Sequence, residues 1–132
     1  MSASKVYFTN FRATFTENLL QKLARLVKNA GMLEQIDFKN QYTAIKIHFG
    51  EPGNLAYLRP NYSKVIVDLI KEQGGKVFLT DCNTLYVGGR KNALDHLDSA
   101  YTNGYNPFTT GCHLLISRHL LVSCHLVHLH LL

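Results

Sequence analysis

Two periods of apolar residues alternate along this chain. Residues 5–9 (KVYFT), 42–49 and 76–80 (KVFLT) are short runs rich in β-branched and aromatic residues, and read as strands. Between them, apolar residues recur at helical spacing. Thr14 precedes Glu17 by three, the capping-box spacing, which predicts a helix start there. Leu19, Leu20, Leu23, Leu26, Val27 and Ala30 would form its apolar face, with Gly31 as its stop. Pro60 suits the first turn of a second helix, whose buried stripe would be Tyr62, Val65, Ile66, Leu69 and Ile70 before Gly74 and Gly75 end it. Residues 90–103 predict a third helix, with Ala93, Leu94, Leu97, Ala100 and Tyr101 inward and Gly104 after it. A further strand is expected after Pro107, near residues 114–117.

Strands that alternate with helices require crossover connections and so favour parallel pairing. The expected fold class is therefore α/β: a partial three-layer sandwich, with a mostly parallel sheet of about four strands and helices on its faces. Residues 1–112 would form one α/β domain, an incomplete one, and residues 113–132 an atypical Leu/His-rich tail. That tail holds eight leucines and five of the seven histidines, and no acid, glycine, proline or aromatic Phe, Tyr or Trp. Five histidines and Arg118 disfavour a membrane-spanning helix. Cys124, His125, His128 and His130 could gather a metal, but their spacing is no recognised zinc pattern. The break in composition favours a frame-shifted or truncated continuation.

In a parallel α/β sheet, ligands bind beyond the carboxyl ends of the strands. The loops after Thr9, Phe49 and Thr80 leave such ends. The second loop offers Lys46 and His48 from one strand face, then Gly50, Glu51, Gly53 and Asn54, with Arg59 beyond. The third offers Asp81, Asn83 and Thr84. Lys46 could neutralise an anion or a carbonyl oxygen, and His48 could act as an acid, a base or a metal ligand. Asp81 could be a metal ligand or a general base. The same residues have plainer readings: a solvated edge face for Lys46 and His48, a tight turn for residues 50–53, a loop-starting cap for Asp81. Lys46, His48, Glu51 and Asp81 are thus the catalytic candidates, His48 and Asp81 the metal candidates, and neither the reaction nor the cofactor follows. No P-loop ending and no G-x-G-x-x-G fingerprint occurs.

A net charge of +5 changes little, because the lysines and arginines are scattered and form no nucleic-acid tract. A small anionic ligand or a metal is the expected partner class. Three cysteines without close pairing indicate a reducing compartment, and the N-terminus has no apolar signal region, so the cytoplasm is expected. Without a Cys-x-x-Cys spacing the chain holds no 4Fe–4S motif.

Three blocks, AIKIHFGEPGNLAYLRP (44–60), LTDCNTLYVGGRKNALDH (79–96) and GYNPFTTGC (104–112), resemble the start of an uncharacterised prokaryotic family, domain of unknown function 362, over about residues 5–112. Members are typically far longer, and many carry ferredoxin-type 4Fe–4S cysteine motifs further along. The resemblance therefore implies an iron–sulfur-associated redox setting. It carries over Lys46, His48, Gly50, Glu51, Arg59, Asp81, Asn83 and Thr84 as motif positions without a chemical role. Two expectations follow: a small-molecule or metal-binding half-site at the strand ends, or a non-catalytic interaction module. An incomplete sheet would also favour a homo-oligomer.

Overall fold

The computed structural model describes residues 5–117 and, for the backbone alone, 125–128. The elements in chain order are α1 (Leu19–Asn29), α2 (Met32–Gln35), β1 (Tyr42–Lys46), α3 (Pro60–Glu72), β2 (Lys76–Cys82), α4 (Ala93–Thr102), α5 (Pro107–Thr110), β3 (His113–Ser117) and β4 (His125–His128). The fold is α/β with a parallel sheet. Three strands, β1, β2 and β3, are described with their side chains, and β2 lies between the other two. The short backbone segment β4 pairs parallel to the other edge of β1.

The strand expected at residues 114–117 forms, as β3. The strand expected at residues 5–9 does not: this stretch has no strand pairing, and Val6 and Phe8 are 87% and 84% exposed. Local β propensity was present, but a strand needs a free edge beside it. The second strand also stops earlier than its apolar alternation suggests. It ends at Lys46, although the Ile47 N–H still donates to the Thr80 carbonyl at 3.0 Å.

Alternation identifies the inward residues after Tyr42, although Ala44 on the other face is buried too. Thr43, Ile45, Ile47 and Phe49 are all buried, and Ile45 meets Leu79 across the β1–β2 ladder. Ile66, Val67 and Ile70 of α3 pack into the same core with Leu23 of α1 and Leu114 of β3. Helix α3 also packs beside α1 and beside α5. The right-handed rule for parallel crossovers then puts the helices on one face of the sheet. The opposite face carries Tyr42, Phe78 and Leu115 along an open cleft of about 730 Å³. Among the described residues the domain has two layers, and the second helical layer of a three-layer sandwich is not among them.

Two helix details depart from expectation. The first helix starts at Leu19, not near Thr14. Asn18 caps it, accepting from Leu20 N and Gln21 N, while the Gln21 side chain accepts from Asn18 N in return. Thr14 Oγ1 does accept from Glu17 N at 3.0 Å, but this closes a turn outside the helix. In α4 the buried face is also displaced. His96, Ser99 and Ala100 are buried, with Asn103 just beyond, whereas Leu94 and Tyr101 are 75% and 47% exposed. The polar stripe faces in because each member has a partner there. Asn103 Nδ2 donates to Phe49 O at 3.0 Å, and Ser99 Oγ donates to Gly89 O at 2.9 Å. A buried polar side chain with a partner is stable where an unpaired one is not.

This assignment of faces predicts opposite responses on one helix. Leu94→Gln should change stability by less than about 0.5 kcal/mol. Ala100→Leu, which forces a larger side chain into the core, should cost roughly 1–3 kcal/mol. Urea unfolding of the two variants measures both.

Candidate functional site

Parallel pairing of β1 with β2 brings Lys46 and Asp81 together at the carboxyl end of the sheet. Lys46 lies opposite Thr80 in the ladder, so its side chain reaches the next residue. Lys46 Nζ donates to Asp81 Oδ1 at 2.5 Å, and the Cys82 N–H donates to the same oxygen at 2.8 Å. The second oxygen, Oδ2, faces Arg90 Nη1 at 3.3 Å and His96 Nε2 at 3.4 Å. His96 is fully buried, and the approach of its Nε2 to Asp81 lacks hydrogen-bond geometry, so that nitrogen has an ionic neighbour but no hydrogen bond. On its other side, His96 Nδ1 lies 3.2 Å from Asn83 Oδ1.

Arg90 continues the network outward. Its Nε donates to Glu51 Oε1 at 2.7 Å, and its Nη2 donates to the Tyr86 hydroxyl at 2.8 Å. The Tyr86 hydroxyl in turn donates to Glu51 Oε1 at 2.5 Å. Arg90 itself is buried. The loops after β1 and β2 are thereby joined. They also touch directly, because a Cβ on Gly89 would come 2.9 Å from Pro52 Cγ.

The electrostatics follow from these contacts. Burial pushes the Asp81 carboxyl up, but His96, Lys46 and the Cys82 N–H outweigh it and hold Asp81 well below the usual carboxylate range. Arg90 and then Tyr86 lower Glu51. For Arg90 the largest effect, burial, lowers its value, and the bonds to Glu51 and Tyr86 more than offset it. His48 is exposed at its edge, yet partial burial of its ring, and next the Arg90 charge, push its imidazole below the ordinary value. The Gly50 N–H donates to His48 Nδ1 at 3.0 Å, a bond that needs this nitrogen unprotonated. The neutral ring then carries its proton on Nε2. Gly50 makes that turn at φ +88°, and a Cβ there would come 2.5 Å from Asn103 Nδ2.

Of the residues singled out in the sequence, Lys46, Glu51 and Asp81 fall in one network, and His48 stands within its field. Gly50 shapes the turn, and Asn83 contacts His96. Thr84 braces its own loop, with its N–H donating to Arg90 O and its hydroxyl to Tyr86 O. Arg59 does not join them. It is exposed and sits at the N-cap of α3 without a side-chain capping bond. Sequence reasoning missed Arg90, Tyr86 and His96. The one available signal was their place in the block 79–96, where each follows Asp81 within a single loop and helix start.

Among the described residues, no group of three or more His, Cys, Asp or Glu side chains is arranged to hold a metal. The tail residues Cys124 and His130 lie outside the described residues, and only the backbone of His125 and His128 is described. No helix among the described residues is long and apolar enough to cross a membrane.

The buried Asp81 makes a pH prediction. Its folded value is depressed, so it contributes stability above its unfolded value, near about 3.9, and that contribution is lost as pH falls through the folded value. Asp81→Asn should cost roughly 3–5 kcal/mol at neutral pH by leaving Lys46 and Arg90 undercompensated. It should also flatten the acid limb of a stability-versus-pH curve measured by urea unfolding.

No curated protein and no solved structure matches the chain. A family model described as Domain of unknown function (DUF362) matches residues 43–120. That match begins at β1 and takes in both loops of the network, and it runs on past Cys112 through β3. It covers more than half of the chain, and the chain belongs to the DUF362 family.

Proposed function

We propose that the rim formed by the loops after β1 and β2 binds a small molecule through an anionic group, a phosphate, sulfate or carboxylate. The observation that carries this reading is the arrangement of Lys46 and His48. They lie two residues apart, Lys46 as the last residue of β1 and His48 just beyond it. Asp81 holds the Lys46 ammonium, and the Gly50 N–H fixes the His48 ring. Lys46 Nζ has two further N–H groups, and the neutral His48 ring has its Nε2–H. Donors already held in place lose little freedom when they bind an acceptor.

The carboxylates argue against a metal as the first choice. Asp81 is paired with Lys46 and Arg90, and Glu51 with Arg90 and Tyr86. A cation would have to displace these partners. An anion needs no such exchange, since it adds to the exposed side of Lys46 and His48. The iron–sulfur setting implied by the family has no ligand set in this chain's cysteine spacing. The alternative, a non-catalytic interaction module, accounts for the open cleft beside Phe78 and Leu115 but leaves the rim network without a use.

Protonation adds a cation at His48, and it breaks the bond from the Gly50 N–H. The His48 value lies below the ordinary one, so the ring is neutral at pH 7 and charges only as pH falls through that lowered value. Anion affinity should rise over the same window. Sulfate is the suitable probe, because its charge is constant between about pH 5 and 8. In an amide NMR titration, sulfate should shift the Gly50 and Phe49 signals and bind more tightly at the lower pH. Lys46→Ala should weaken it at least about tenfold, equivalent to ~1.4 kcal/mol. Sulfate binding that is indifferent to both pH and Lys46 would rule the reading out.

A further inference from the structure

The sheet leaves one edge of β1 open to two different segments of the chain. β1 passes through α3 to β2, and β2 passes through α4 and α5 to β3, so the chain advances across the sheet in one direction. α1 packs beside α3 on that same face. A strand that precedes α1 and connects to β1 by a right-handed crossover must therefore lie on the side of β1 away from β2. That position is occupied by β4, in register Thr43 with His125, Ala44 with Leu126, Ile45 with Val127 and Lys46 with His128.

Residues 5–9 are the segment the crossover rule would put there. They hold Val, Tyr, Phe and Thr, all strong strand formers, and are joined to α1 by residues 10–18, a connection longer than most strand-to-helix loops but shorter than the roughly 12–15 residues that become uncommon. They are not in the sheet, and Val6 and Phe8 stand largely in solvent. Exposed apolar side chains on a segment with high strand propensity are a cost that pairing would relieve.

We propose that residues 5–9 and residues 125–128 compete for the same edge of β1, with pairings close in free energy. The described arrangement is one of the two. In the other, residues 5–9 pair parallel to β1, and the loop that begins at Asn10 leaves the carboxyl end of its strand beside His48. The rim then has three walls in place of two. The competition requires no ligand and stands apart from the anion reading.

Amide hydrogen exchange on the full chain tests it. Leu126→Pro with Val127→Pro removes two successive N–H donors, so β4 cannot pair whichever of them faces β1. Exchange at residues 6–9 should then slow by at least about tenfold, since pairing protects amides. The Gly50 amide signal should shift as the Asn10 loop arrives. Unchanged exchange at residues 6–9, with β1, β2 and β3 still protected, would overturn the proposal. If the double-proline variant fails to fold, Leu126→Gly with Val127→Gly weakens β4 while keeping its N–H groups. Slowing by about threefold or more at residues 6–9 is then expected, and no slowing overturns it.

Discussion

A single carboxylate, Asp81, ties together the carboxyl end of the sheet. It sits almost fully buried at the end of β2, and its two oxygens meet four groups: Lys46 of β1, the Cys82 N–H, Arg90 and His96. A buried charge is tolerable only when paired and hydrogen-bonded. The pairing here fixes one residue from β1, one from the loop after β2 and one from α4 around a single point. Arg90 then carries the constraint outward to Glu51 and Tyr86. Strand pairing brings β1 and β2 side by side, and the Asp81 contacts set how their loops meet.

α4 acts as the other half of that arrangement. Three polar side chains on successive turns each reach a different part of the rim. His96 meets Asn83 and Asp81, Ser99 meets the Gly89 carbonyl, and Asn103 meets the Phe49 carbonyl. Phe49 in turn packs against Tyr105 at 5.1 Å and edge-on to His96 at 5.9 Å. The helix therefore buries polar atoms where a purely structural helix would bury leucine. Its cost is offset by partners that exist only because both strand-end loops are adjacent. The inner groups largely pair with one another, with His96 Nε2 left without a hydrogen bond, while Lys46 and His48 carry N–H groups beyond the bonds that hold them.

Much of the fold was legible because it rests on local patterns. The period-two alternation of residues 43–49 places Thr43, Ile45, Ile47 and Phe49 inward, as found. The glycine and proline punctuation marks the end of α1 and the start of α3. The site was half legible. Lys46, Glu51 and Asp81 stand out as charges beside apolar strands, and they do converge. Arg90 and His96 did not stand out, because an arginine at a helix start and a histidine on a helix are ordinary in sequence. Leu94 and Tyr101 misled for the same reason: hydrophobicity suggested they face inward, but the inner face was taken by polar groups with partners.

By itself, then, the sequence determined the α/β class, the parallel order of its central strands and the loops that hold the clustered charges. These depend on periodicity, turn residues and the handedness of L-amino-acid chains, all of them local. Tertiary structure alone decided three further matters. It decided that residues 5–9 lie outside the sheet in the described arrangement, because β4 holds that edge of β1. It decided which face of α4 is buried, because that depends on partners supplied by distant loops. And it decided that Asp81 is the centre of the rim, because the meaning of a carboxylate depends on which cations stand within a few ångströms of it.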